Sequence, residues 1–182
     1  MTVGYRHGMR AGQRIDPSHL GGLEELGLNH LIRPDQFIKD RELNDVLGEA
    51  NILKRSKGPV DLDNVWPAFE GDTTTLQRHE TLRTSQGYLH RPTLAKYIVE
   101  GAPEMDPDYP GEEVPYHPDV FSFGDRGNQW IDEGHHRITA SRLRGDSSLT
   151  ANLGHAGWDK PWRKPPTTPA SPVPGTGRGV SL

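Results

Sequence analysis

The sequence predicts a small α/β (α+β) domain, with a helical N-terminal extension ahead of it and a disordered C-terminal tail behind. Three observations lead there. A β-hairpin pattern over residues 120–131 runs straight into a glycine-bounded helix, and a separate helix pattern spans about Arg91 to Glu100. The 21 Gly and 16 Pro together make up about a fifth of the 182 residues, well above ordinary usage, while hydrophobic residues are only 32%. One lean core with long irregular connections fits this composition, and two full domains do not. The expected division is 1–80 for the extension, 81–158 for the domain and 159–182 for the tail.

In chain order, Asp16-Pro17-Ser18 reads as a helix start, because Asp accepts from orphan amides and Pro suits the first turn. That helix should be short, broken by Gly21-Gly22 or by Gly27. Arg33-Pro34-Asp35 opens a second candidate, in which Phe37, Ile38, Leu43, Val46, Leu47 and Ala50 recur at three- and four-residue spacing. Ser56 to Thr75 is turn-rich. From Arg91, Pro92 sits in a first turn, Leu94, Ala95, Ile98 and Val99 follow at helical spacing, and Gly101-Ala102-Pro103 ends the helix.

Ala102 to Pro118, rich in proline and acids, reads as an exposed loop. Val120 to Phe123 is a strand, Gly124 to Asn128 a tight turn, and Gln129-Trp130-Ile131 the returning strand. Asp159 to Leu182 holds six prolines and a glycine-spaced end, from which no core can be built.

Composition also excludes functions. No run approaches the roughly 18 apolar residues of a membrane span, and the polar, basic start has no apolar signal core, so a cytoplasmic protein without a membrane partner is expected. The absence of cysteine removes disulfides, thiolate nucleophiles and sulfur-ligated metals. A net charge of -4 argues against a wholly basic nucleic-acid coat.

The chemistry concentrates in residues 129–145, QWIDEGHHRITASRLRG, a strand, a glycine turn and a helix stopped by Gly145. Such a unit suits an anion, because first-turn amides lack partners and the helix dipole favours negative charge there. Gly134 would let a phosphate approach the backbone, and His136 and Arg137 add donors beside the pole. Taken alone, His135-His136-Arg137 also reads as a solvated helix start with one histidine in the core.

The pattern D-x-G-x-H-R between a strand and a small-residue helix resembles the box of stand-alone ParB-like nuclease domains of the ParB/sulfiredoxin superfamily. Leu82 to Val99 looks like the first box of that family, a polar T-x-Q strand end followed by a helix, and Ser148 to Leu153 like its closing strand. The resemblance covers about Arg83 to Leu153, and it implies a small mixed sheet with flanking helices whose turn holds nucleotide phosphates. His136 and Arg137 then fall on the phosphate-contacting pair. In sulfiredoxins the residue after the glycine is the catalytic cysteine; His135 stands there, which excludes the sulfinic-acid reductase branch.

Partition-type members carry a GERR-like box and a following helix-turn-helix, and neither is present here. The superfamily also contains kinases with a carboxylate base near the turn.

The resemblance therefore implies a nucleotide- or DNA-phosphate-binding protein, a nuclease or nucleotide hydrolase, in which Asp132, Glu133 and His135 are the catalytic candidates and Gly134, His136 and Arg137 the phosphate cradle. Thr84 and Gln86 would contact a base or ribose, and Lys96, with Arg83, Arg91 and Arg142, would extend the phosphate surface; strand-end bonding and ordinary solvation are the alternatives. The implied cofactor is ATP or CTP with Mg²⁺ held mainly by phosphates. No spacing fixes a metal site among His117, Asp119, Glu133 and His135. Two alternatives stand beside hydrolysis: a kinase of the same superfamily, and a non-catalytic phage or mobile-element protein that meets a protein partner through its N-terminal extension or tail.

Overall fold

A computed structural model describes residues 14–55, 67–123 and 128–156. Asp16 accepts from the amide of Ser18 at 2.9 Å and starts α1 (Pro17–Glu25), which runs through Gly21-Gly22 and ends before Gly27. A 3-10 turn (Asn29–Leu31) leads to β1 (Phe37–Lys39), α2 (Asp40–Glu49) and β2 (Ile52–Lys54). Then come β3 (Ala68–Gln77), β4 (Leu82–Thr84), β5 (Tyr88–His90) and α3 (Arg91–Glu100). After the long loop follow β6 (Asp119–Phe123), β7 (Asn128–Glu133), α4 (His135–Arg144) and β8 (Ser148–Ala156).

Six strands form one mixed sheet in the order β2-β4-β7-β6-β8-β3. Neighbours β2/β4, β4/β7 and β6/β8 are parallel, whereas β6/β7 and β8/β3 are antiparallel. The small pair β1/β5 is antiparallel and separate. The class is therefore α/β with a mixed sheet and, among the described residues, four α-helices. None of these helices is long and apolar enough to cross a membrane.

The expected boundary at residue 80 falls in the turn between β3 and β4, two strands of one sheet. Residues before Thr81 supply both outer strands, β2 and β3, and one apolar cluster joins Leu23, Leu43 and Leu76 to Leu94, Ile98 and Ile138. The described part of 14–80 is thus integral to the domain rather than an appendage.

Phe37-Ile38-Lys39 departs from the expected helix because these residues pair with His90, Leu89 and Tyr88 of β5. Ala68 to Thr75, expected as turns, lies in β3. The other local signals agree with the structure: α3 and α4 occupy the expected spans, Gly101 and Gly145 follow them, and β6/β7 form the expected hairpin. The tail, Ser56 to Trp66 and the hairpin tip 124–127 lie outside the described residues.

Helices α3 and α4 run side by side in the same direction. At their starts, the amide of His90 donates to Nε2 of His136 at 2.8 Å. At their ends, Arg144 Nη1 lies 3.1 Å from where a Cβ on Gly101 would stand. Helix α1 packs closely on α3: a Cβ on Gly22 would meet both methyl carbons of Val99 at 2.8 Å.

Candidate functional site

Strands β4 and β7 are parallel, with Arg83 opposite Trp130, so the segments that follow them leave the sheet at the same edge. One segment is the Thr84–Gly87 loop, the other the Asp132-Glu133-Gly134 turn. The parallel packing of α3 and α4 brings both helix N-termini there as well. His90 caps α3, its Nδ1 reaching the amide of Thr93 at 3.4 Å and Thr93 Oγ1 at 2.7 Å. Helix α4 has no side-chain cap, because its N-cap is Gly134.

Gly134 is required twice over. Its φ of 89° lies in the left-handed region, and a Cβ there would stand 2.4 Å from Cβ of Pro118. The space that the sequence assigns to an approaching phosphate is filled on that side by Pro118. The first-turn amides remain: Ile138 N is the first that donates within the helix, to the carbonyl of Gly134 at 3.0 Å.

Both histidines are half-buried. His136 accepts from His90, which places its ring proton on Nδ1. Burial, followed by the neighbouring His135, His90 and Arg137, holds its pKa down to about 3; burial and Arg137 hold that of His135 down to about 4. Near neutrality the two rings are uncharged.

At the exposed end of β7, Asp132 is pushed up to about 6, first by the protein packed around it and then by the charges of Asp119 and Glu133. Asp119 lies opposite Glu133 in the β6/β7 ladder and accepts from Asn152 Nδ2 at 2.8 Å.

Arg137 points along the other side of α4. It is 8% exposed, its Nη1 donates to the carbonyl of Tyr116 at 2.9 Å, and its Cζ lies 3.7 Å from the centre of the Tyr116 ring. Its Nη2 stays close to the turn, 3.0 Å from where a Cβ on Gly134 would be.

Thr84 is fully buried, and its hydroxyl accepts from the amide of Gln86 at 3.0 Å, so it shapes the loop rather than facing a base. Gln86 is half-buried beside it. Lys96 is exposed on α3, about a turn and a half from the His90 end.

Two of the expected phosphate-surface arginines are structural. Arg91 is 1% exposed and pairs with both carboxylate oxygens of Glu42, donating also to the carbonyls of Leu31 and Asp35. Arg142 is 3% exposed and gives its N–H groups to the carbonyls of Ala50, Asn51 and Gln77. Arg83 is half-buried in β4.

Three further residues belong to the arrangement and carry no local sequence signal. His90 caps one helix and orients a histidine of the other, Tyr116 stacks on Arg137, and Tyr97 of α3 hydrogen-bonds with Tyr116. Among the described residues, no group of three or more His, Asp or Glu is arranged to hold a metal ion. No protein-family model, curated protein or solved structure matches the chain.

Proposed function

We propose that the chain is a phosphate-binding protein of ParB/sulfiredoxin type, which captures a nucleotide or DNA at the N-terminal pole of α4 and hydrolyses a phosphodiester or phosphoanhydride bond. The observation that carries this reading is the uncapped first turn of α4 beside the start of the parallel helix α3. A glycine cap leaves the amides of His135, His136 and Arg137 directed at whatever lies beyond the pole, where a helix dipole is worth about 0.3–1 kcal/mol to an anion.

Arg137 contributes its charge from the flank, with Nη2 close to Gly134. His136 acts through position: held by the His90 amide, it locks the first turn of α4 to the start of α3.

Asp132 is suited to proton transfer, since a carboxyl near pH 6 is largely ionised at neutrality yet basic enough to take a proton from water. It stands three residues before the first residue of the helix, with Glu133 between it and Gly134. A Mg²⁺ held by the phosphates themselves would supply Lewis-acid polarisation of the phosphoryl oxygens.

Calorimetric titration with ATP, ADP, CTP and a short DNA duplex, each with and without Mg²⁺, tests the binding. At least one should bind saturably, and the hydrolysis it supports should fall about a hundredfold in Asp132→Asn, the usual contribution of a positioned base. No binding by any of the four would remove the phosphate reading. Transfer of the phosphoryl group to a hydroxyl acceptor in place of water would assign the chain to the kinase branch instead.

A further inference from the structure

Between the C-terminal end of α3, the 102–118 loop, the flank of α4 and the start of β8 lies a cleft of about 320 Å³, within the range of small-molecule sites. Its walls are largely apolar, formed by Tyr97, Ala102, Tyr116, Ala140 and Leu149. Its charged side chains are Arg137, Arg144 and Glu104, and of these Arg137 is the buried one.

A guanidinium has five N–H donors, and removing its charge from water costs several kcal/mol unless a partner compensates. Among the described residues no carboxylate pairs with Arg137; one N–H has the Tyr116 carbonyl, and the Tyr116 ring lies beneath the cation. Arg91 has a bidentate carboxylate and two carbonyls, and Arg142 has three carbonyls. Arg144, which also lines the cleft, is neutralised by Asp146, and the Ser141 hydroxyl is given to the same carboxylate.

We propose that this cleft is a second binding site, for a small organic monocarboxylate whose carboxylate pairs with Arg137 and whose apolar body lies between Tyr97 and Leu149. The planar fork of Arg137 matches a carboxylate. The charge count selects a monoanion over a phosphate dianion: Arg137 offers one uncompensated positive charge, Arg144 is already paired, and the exposed Glu104 adds a negative charge at the lining. The site lies along the flank of α4 and stands whether or not a nucleotide binds at the pole.

Benzoate is the probe, titrated calorimetrically into the full chain with phenylphosphate and ATP in parallel. Benzoate should bind one to one, and Arg137→Met and Ala102→Trp should each weaken it about tenfold or more, equivalent to about 1.4 kcal/mol. Ala102→Trp fills the cleft far from the pole, so it serves even where Arg137→Met fails to fold, and it should leave any ATP binding unchanged. No saturable benzoate binding, or benzoate binding undiminished by Ala102→Trp, overturns the site. Tighter binding of phenylphosphate than of benzoate overturns the carboxylate assignment. Loss of ATP binding alone bears on the phosphate reading and leaves this one intact.

Discussion

Arg137 lies 3.7 Å over the ring of Tyr116 while donating to the backbone carbonyl of that same residue. One residue of the 102–118 loop thereby holds the cation twice, once through its ring and once through its main chain. Tyr116→Leu removes the ring and leaves the carbonyl, so the stacking is lost without a change in the hydrogen-bond count at Arg137. The variant should lose about 2 kcal/mol of stability in urea unfolding. Tyr116→Phe, which keeps the ring, should lose about 1 kcal/mol or less, the worth of the hydroxyl bond to Tyr97.

Gly134→Ala separates conformational strain from steric contact. At Gly27, where φ is 71° and nothing lies within 4 Å of the added Cβ, alanine should cost about 1 kcal/mol for the left-handed backbone alone. At Gly134 the same strain is joined by Pro118 at 2.4 Å, and the cost should reach about 3 kcal/mol. Equal losses in the two variants, measured by chemical denaturation, would show that Pro118 moves aside freely.

Glu42→Ala leaves the buried Arg91 without its carboxylate. An uncompensated buried charge costs about 3–5 kcal/mol, so this one change should remove much of the stability of a domain this size. The double variant Glu42→Ala with Arg91→Met should recover part of the loss, because it removes the stranded charge.

Acid should destabilise the fold earlier than its carboxylates alone would dictate. His135 and His136 have folded pKa values of about 4 and 3, below the ordinary 6.5, so the unfolded chain binds more protons between these limits and stability falls as pH drops below about 6.5. Asp132 works the other way: its raised value, about 6, means that its contribution grows as pH falls from 6 towards 3.8. Two imidazoles against one exposed carboxyl leave the net slope downward. Melting temperature followed from pH 7 to pH 4 should show the decline, and His136→Gln should flatten it.

Local structure was legible wherever the determinant was itself local. Asp16-Pro17, Pro92 and Gly101, and Gly134 and Gly145 mark their helix ends through capping and backbone preferences that a neighbouring residue cannot change. The parts that were not legible depend on partners far along the chain. Phe37 to Lys39 has apolar spacing compatible with a helix and becomes a strand because β5, some fifty residues later, pairs with it. β3 hides because most of it is exposed and polar, with three successive threonines and no clean alternation.

The same division runs through the site. The uncapped pole of α4 follows from Gly134 at its N-cap. The fates of the arginines do not, since Arg91, Arg137 and Arg142 look alike in sequence. Glu42, Tyr116 and the carbonyls of residues 50, 51 and 77 decide which one faces a cleft. His90 as a helix cap was likewise hidden, because serine, threonine, aspartate and asparagine are the usual residues there.

The three carbonyls bound by Arg142 come from positions 92, 91 and 65 residues earlier in the chain. During synthesis, the end of α2 and the end of β3 are therefore complete long before the side chain that ties them together has been made. Assembly of this corner is a late event in time even though its acceptors are early in sequence, and chaperone dependence or misassembly should be sensitive to how quickly α4 follows.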